Sequence, residues 1–81
     1  MLKKYKTEIT QYSQNISLIA NCNAITFVNT GTTNMYVDKY LLIPGQSIGV
    51  SGNNDEIDIT HYNLQFTNNL GNCSVIRKIF V

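Results

Sequence analysis

The chain has 81 residues and a formal net charge of +1, so it holds one small domain and lacks the strong basic charge typical of nucleic-acid-binding proteins. Its ten isoleucines, eight threonines and five tyrosines favour β-strands, whereas alanine, glutamate and methionine, which favour helices, occur twice each. These values exclude a multidomain enzyme and predict an all-β fold.

Residues 1–14 are predicted to be a basic N-terminal arm. The segment lacks a sustained apolar period and precedes the first apolar run of the chain. We expect its basic start, Lys3, Lys4, Tyr5 and Lys6, to contact a partner protein. No apolar run of signal-peptide length follows, and no stretch reaches the roughly 18 apolar residues of a membrane span. We therefore expect the protein to be made and used in the cytoplasm, or to be released by lysis.

Residues 15–81 are predicted to form a single β domain, a small antiparallel β-sandwich or barrel of about seven short strands. Short apolar runs alternate with turn residues throughout this region, as is typical of all-β proteins. The last run has apolar residues on both faces, which indicates a strand covered on both sides. The runs interpreted as strands cover residues 16–21, 24–29, 35–37, 40–43, 46–51, 57–66 and 73–81.

Turn residues separate these runs. Pro44-Gly45 predicts a type II turn, because proline fixes the first central φ and glycine supplies the positive φ that follows. Asp38-Lys39 is predicted to be the two-residue loop of a hairpin, although Asn-Gly is the stronger signal for such a loop. Residues 52–55 are predicted as a second turn. The apolar phase changes at residues 60–61, which indicates a bulge, a corner or a new strand.

The two cysteines, Cys22 and Cys73, are far apart in the sequence. A disulfide between them would close a loop of about 50 residues and stabilise the chain by roughly 4 kcal/mol. Paired cysteines of cytoplasmic proteins usually stay reduced, so we expect two buried free thiols and keep the disulfide as the alternative. Neither cysteine belongs to a CxxC metal or redox motif.

The sequence offers few candidates for chemistry. His61 is the only histidine, and Asp58 precedes it by three residues, but no nucleophile motif accompanies the two. We therefore expect His61 to be a solvent-facing or hydrogen-bonded strand residue. Asp55, Glu56 and Asp58 form a carboxylate cluster that does not match an EF-hand, and we expect an ordinary acidic loop. We predict no metal, no cofactor and no enzymatic activity.

Three segments of the chain resemble a known group of proteins. They are FVNTGTTNMYVDKYLLIPGQS, SGNNDEID and CSVIRKIFV. Together they resemble small virion structural proteins of crAss-like and related tailed phages of Bacteroidota, which share an NTGT–turn–L-PG-S hairpin layout and an ending of the V-I-R-K type. The resemblance covers residues 15–81 and implies a capsid auxiliary or head-decoration protein without catalytic residues.

The leading hypothesis is a non-enzymatic virion structural protein, a capsid auxiliary or head–tail component that is assembled in the host cytoplasm. It would bind capsid or portal-region subunits in an oligomer or lattice, with neither nucleic acid nor membrane as a partner. The arm would lie along an acidic neighbour, and Arg77 and Lys78 form a second candidate contact. Edge-strand pairing would add main-chain hydrogen bonds between subunits.

Two alternatives belong to other functional classes. One is a small phage-encoded ligand-binding protein or host-factor inhibitor, which would form a discrete oligomer and purify with a metabolite or a host protein. The other is a carbohydrate-binding module of a fibre. That function requires tyrosines such as Tyr36, Tyr40 and Tyr62 to be exposed and coplanar.

Overall fold

The computed structural model describes residues 4–53, 56–68 and 70–80, and within them the chain forms eight β-strands. The strands in chain order are β1 (Tyr5–Tyr12), β2 (Ile16–Ile19), β3 (Ala24–Asn29), β4 (Met35–Val37), β5 (Tyr40–Leu42), β6 (Ser47–Ser51), β7 (His61–Phe66) and β8 (Cys73–Phe80). The described part of the chain contains no helix that could span a membrane.

The first half of the chain pairs with the second half in reverse order. β1 pairs with β8, β2 with β7, β3 with β6 and β4 with β5, all antiparallel, so the chain is one long hairpin with its tip at Asp38-Lys39. Two further antiparallel pairings, β3 with β8 and β4 with β7, roll this hairpin into two sheets. The strand order is β1-β8-β3-β6 in the first sheet and β2-β7-β4-β5 in the second. This is the connectivity of a jelly roll.

The core lies between the inner faces of the two sheets. In β3, fully buried Ile25, Phe27 and Asn29 alternate with half-buried residues, and in β7 the buried residues are Tyr62 and Leu64. This period of two follows from the pleat of a strand. Burying a side chain as large as that of Phe27 stabilises the fold by roughly 1.5–3 kcal/mol. The apolar core residues are Leu18, Ala20, Cys22, Ile25, Phe27, Met35, Val37, Leu42, Tyr62, Leu64, Cys73 and Val75.

Two buried asparagines, one at each end of β3, form hydrogen bonds with backbone carbonyl groups of neighbouring segments. Asn23 donates from Nδ2 to the carbonyl oxygens of Asn53, at 2.5 Å, and Glu56, at 2.9 Å. Asn29 donates from Nδ2 to the carbonyl oxygen of Leu42 in β5 at 2.9 Å. Both asparagines are buried, so these bonds satisfy polar groups that have little access to water.

The predicted all-β fold is confirmed, and its form is a sandwich with eight strands rather than about seven. The additional strand is β1, which lies inside the segment that was predicted to be an arm over residues 1–14. β1 pairs with β8 without a break, from Tyr5 opposite Phe80 to Tyr12 opposite Cys73. The segment forms a strand because β8 would otherwise present an unpaired row of backbone N–H and C=O groups.

The predicted turns are present wherever the described residues include them. Gly45 has a φ of +88°, and the N–H of Gln46 donates to the carbonyl oxygen of Ile43 at 3.0 Å, as a type II turn requires. Asp38, in the two-residue loop between β4 and β5, has a φ of +53°. The phase change at residues 60–61 marks the start of β7 at His61. Outside the described residues lie positions 1–3 of the predicted arm, which include Lys3, positions 54 and 55 of the predicted second turn, which include Asp55, and Val81 of the last predicted strand.

Both cysteines are free thiols and both are buried, as expected. Cys22 lies two residues before the start of β3, whereas Cys73 lies opposite Asn29 at the other end of that strand. A strand of this length spans about 20 Å, and a disulfide needs Cα atoms within about 7 Å of each other. The two thiols therefore cannot bridge in this fold.

Candidate functional site

The pairing of β1 with β8 brings the two basic ends of the chain side by side. Lys4 directly precedes β1, and Tyr5 and Lys6 are its first two residues. Lys78 lies opposite Thr7 on the neighbouring strand. The residues predicted as two separate partner contacts thus belong to one region of one sheet, except Lys3, which lies outside the described residues.

One surface of the first sheet faces away from the core, and we call it the outer face. Residues directly opposite each other on antiparallel strands lie on the same face, so the register defines its members. Ile9, Ile76, Thr26 and Gly49 form one row across all four strands. The described outer-face residues are Tyr5, Thr7, Ile9 and Gln11 of β1, Ser74, Ile76, Lys78 and Phe80 of β8, Ala24, Thr26 and Val28 of β3, and Ser47, Gly49 and Ser51 of β6.

The outer face carries large exposed apolar side chains on β1 and only small residues on β6. Tyr5 and Ile9 of β1 are 58% and 64% exposed, and β6 contributes only serine and glycine. Lys78 carries the one formal charge among the described outer-face residues. Exposed apolar side chains that adjoin one another on a surface of low charge are typical of protein–protein contact sites.

Lys78 lies between the two aromatic side chains at the end of this face. Its Nζ is 4.8 Å from the centre of the Tyr5 ring and 5.7 Å from the centre of the Phe80 ring. A cation over an aromatic ring is attracted by about 0.5–1 kcal/mol at an exposed site. The ammonium group is therefore held at the surface, where it can also meet an acidic group of a partner.

Arg77, the other basic residue predicted to contact a partner, points to the opposite side of β8. Its Nε donates to the carbonyl oxygen of Ala20 at 3.1 Å, and its Nη2 donates to that of Ile19 at 3.4 Å. Its Nη1 also forms an ion pair of 3.3 Å with Glu8 in β1. The side chain of Arg77 is 12% exposed, so it joins the end of β2 to the first sheet inside the protein.

The outer edge of β1 is the longest open edge of the sandwich. β1 has eight residues, compared with four in β2, three in β5 and five in β6, which are the other three edge strands. Its register with β8 has no bulge, and its sequence has no proline. Proteins usually protect sheet edges by short strands, bulges, proline or charged side chains. Of these β1 has only the charges of Lys6 and Glu8, which are opposite in sign, so its edge is suited to pairing with a strand whose charges match them.

Asp58 and Glu56 of the acidic cluster accept hydrogen bonds from residues close to them in the chain. Asp58 accepts hydrogen bonds from the N–H of Thr60 at 2.8 Å and from the hydroxyl of Tyr62 at 2.9 Å. Hydrogen bonds from the Thr60 side chain and backbone hold the pKa of Asp58 below its usual value, whereas burial raises the pKa of Tyr62. Glu56 accepts from the N–H of Asn53 at 2.8 Å.

His61 lies on the other face of β7 from Tyr62, because successive residues of a strand alternate. Its ring is exposed, and the hydrogen bonds to the Asp58 carboxylate come from Thr60 and Tyr62. Among the described residues, no three His, Cys, Asp or Glu side chains lie together as metal ligands would. An open cleft of about 310 Å³ lies beside Asp58 and Tyr62, under the edge of β6.

The three tyrosines do not meet the condition set for a carbohydrate-binding platform. Tyr62 is only 8% exposed, and its ring packs on Phe27 in the core with 5.1 Å between ring centres. Tyr36 and Tyr40 are both exposed, but Tyr36 lies opposite Leu41 on the outward side of the second sheet, whereas Tyr40 lies opposite Val37 on the other side. The rings therefore do not form one exposed plane.

The sequence analysis names Tyr5 and Lys78 as candidate contacts, but it does not name Ile9 or the row that continues across Ile76 and Thr26. The period of two in β1, with Tyr5, Thr7 and Ile9 on one side, was the available signal.

Comparison of the chain with protein-family models, with curated proteins and with solved structures gives no match.

Proposed function

We propose that the chain is a non-enzymatic structural protein of a virus particle, a capsid auxiliary or head–tail component that binds neighbouring subunits through the outer face. The observation that carries this proposal is the outer face itself, where Tyr5 and Ile9 are exposed and Lys78 carries the single charge among the described residues. The jelly-roll connectivity is consistent with it, because viral capsid proteins use this fold, although lectins and cupins use it too. The sequence resemblance to phage virion proteins adds the particle as the site of action.

The outer face is suited to this role because its two central strands are hydrogen-bonded on both sides before binding. β8 is paired on both sides, by β1 and β3, and β3 is paired on both sides by β8 and β6. A preformed surface loses little conformational entropy when it binds, so a small area of contact can suffice. Lys78 then favours a partner surface that carries a carboxylate near an apolar patch.

A charge placed in the middle of the outer face tests the proposal. Thr26 lies near the centre of this face on β3, opposite Ile76 on one side and Gly49 on the other. We expect T26K to weaken binding to particles or to isolated capsid subunits by at least about tenfold, because the lysine would be buried without a partner. The matched control is S17K, since Ser17 lies opposite Asn63 on the outward side of the second sheet.

A second experiment tests whether the chain is present in virus particles. Mass spectrometry of purified particles should detect the chain in stoichiometric amounts. Its absence from particles would overturn the proposal, and so would its recovery with a host protein instead, which would favour the inhibitor alternative. Equal loss of binding in T26K and S17K would show that the outer face is not the contact surface.

A further inference from the structure

The open edge of β1 is complementary to itself. We propose that two copies of the chain form a symmetric dimer by antiparallel pairing of their β1 strands, with Thr7 of one copy opposite Thr7 of the other. In this dimer a second copy of the chain is one partner of the first sheet. The dimer rests on the proposed function only in that both treat the first sheet as an assembly surface. The dimer would be one continuous sheet of eight strands, with the two outer faces side by side.

Geometry limits the number of registers for such pairing. In a symmetric antiparallel pair that continues the sheet, each residue must lie opposite a residue of the same face. The two-fold axis must therefore pass between the two copies of one residue, so that this residue lies opposite its own copy. For the described strand β1, the four central choices are Thr7, Glu8, Ile9 and Thr10.

The side chains favour the register centred on Thr7. In that register Lys6 of each copy lies opposite Glu8 of the other, which gives two ion pairs on one face. Tyr5 of each copy lies opposite Ile9 of the other, which gives two aromatic–aliphatic pairs on the outer face. Opposite charges and aromatic–aliphatic pairs at directly opposed positions both stabilise neighbouring strands.

The other three registers lack these matches. Centring on Thr10 places Glu8 opposite Tyr12 and leaves Lys6 without an opposed residue in β1, so no ion pair forms. Centring on Glu8 places the two Glu8 carboxylates directly opposite each other, and like charges at opposed positions destabilise a strand pair. Centring on Ile9 places Glu8 opposite Thr10 and Lys6 opposite Tyr12, so no ion pair forms. Charge complementarity thus selects both the second copy as the occupant of this edge and the register of the pairing.

The groups around Glu8 allow the proposed ion pair. Glu8 accepts from Arg77 through Oε1 at 3.3 Å, and a carboxylate has a second oxygen with which to accept from a lysine. The side chain of Glu8 is 45% exposed. Lys6 and Glu8 are separated by one residue and so lie on the same face of β1, which the second sheet leaves exposed.

The dimer should be weak and closed. A single pair of strands buries less than the roughly 1,200 Å² of a stable complex, so we expect a dissociation constant on the order of micromolar or weaker. The symmetric contact uses the same edge of both copies and cannot extend into a filament. The ion pairs are exposed to solvent, so salt should weaken the dimer further.

Charge reversal separates this dimer from other forms of association. We expect sedimentation equilibrium to show that K6E and E8K each weaken the dimer by at least about tenfold, because like charges then face each other at two symmetric positions. The double variant K6E/E8K should regain the dimer. An equimolar mixture of unlabelled K6E and uniformly ¹⁵N-labelled E8K should form a heterodimer, because the isotope label lets native mass spectrometry resolve it from both homodimers. K39E is the control, because Lys39 lies in the β4–β5 loop of the second sheet.

Two results would overturn the proposal. One is a wild-type chain that stays monomeric at several hundred micromolar in low salt. The other is a failure of the double variant and of the mixture to regain a dimer, when circular dichroism shows that all variants are folded. T26K should leave the dimer unchanged, because Thr26 is separated from β1 by β8. A chain that dimerises but is absent from particles would contradict the proposed function alone.

Discussion

The side-chain amide of Asn29 donates a 2.9 Å hydrogen bond to the backbone carbonyl of Leu42, and this bond joins β3 of the first sheet to β5 of the second. The same Nδ2 donates to the carbonyl oxygen of Thr33 at 2.9 Å, and Oδ1 accepts from the N–H of Gly31 at 3.1 Å. Asn29 is 1% exposed. An asparagine side chain has both the donors and the acceptor that this position uses.

Replacing Asn29 should therefore cost much more than its surface would suggest. We expect Asn29→Ala to lower the free energy of unfolding by about 2–4 kcal/mol, because buried carbonyl groups lose their donor. Asn29→Asp should be at least as harmful at neutral pH, since an ionised carboxylate cannot donate. Urea unfolding followed by circular dichroism measures both. Asn34→Ala, at an exposed position of the same loop, should change stability by less than about 0.5 kcal/mol, and an equal loss in both alanine variants would contradict this account.

The contacts of Arg77 predict an unequal effect for the two members of its ion pair. Arg77 also donates to the carbonyls of Ile19 and Ala20, whereas Glu8 is 45% exposed and its pairing is open to solvent. We expect Arg77→Ala to lower the free energy of unfolding by about 1–3 kcal/mol and Glu8→Ala by less than about 0.5 kcal/mol.

Measuring the free energy of unfolding of Arg77→Lys separates the effect of the charge of Arg77 from that of its hydrogen-bond geometry. Lysine keeps the charge but lacks the planar fork that reaches two carbonyls and a carboxylate at once. We expect it to recover less than half of the stability lost in Arg77→Ala. Full recovery by lysine, or an equal loss in Glu8→Ala, would show that charge alone explains the role of Arg77.

Local signals explain why most of the strands could be predicted from the sequence. β3 coincides with its predicted range, because its apolar residues are bounded by asparagines, and Pro44-Gly45 marks the turn between β5 and β6. β1 was missed because its lysines and glutamate obscure the period of two. It becomes a strand only when paired with β8, which lies more than sixty residues further along the chain.

The candidate binding surface was predictable only in part. The sequence shows Tyr5 and Lys78 as separate residues near the two ends, and nothing local indicates that Nζ of Lys78 lies 4.8 Å from the Tyr5 ring. That contact depends on the pairing of β1 with β8. The internal role of Arg77 was also hidden, because the side of a strand on which a residue lies depends on its register with both neighbours. The sequence places Asn29 at the end of a predicted strand and Asn23 between two predicted strands, but nothing local indicates that both are buried donors.

Gly45 provides a test of backbone strain without any change in packing. Its φ is +88°, and a Cβ at this position would have no heavy atom within 4 Å. We expect Gly45→Ala to lower the free energy of unfolding by about 1 kcal/mol, solely because an L side chain disfavours this conformation. Gly45→Asn should cost less, since asparagine adopts positive φ more readily. Thermal unfolding compares the two, and an equal or larger loss with asparagine would contradict strain as the cause.

Burial of Cys73 should make the stability of the protein depend on alkaline pH. Burial raises the pKa of this thiol from 9.0 to about 11 in the folded state. The folded state thus holds the proton more tightly than the unfolded state, so the contribution is fully present below pH 9.0 and is lost as the pH rises towards about 11. The pKa difference corresponds to a fall of about 3 kcal/mol over this window.

Burial also raises the pKa of Cys22, so both thiols contribute to the slope in the same direction. Cys73→Ala should lower stability at pH 7 through the cavity it leaves, yet it should flatten the dependence between pH 9 and 11. Cys22→Ala, the matched control, should keep most of the slope because Cys73 is still present. Urea unfolding at a series of pH values measures these slopes. A wild-type slope unchanged by Cys73→Ala would mean that the thiol is not the group responsible.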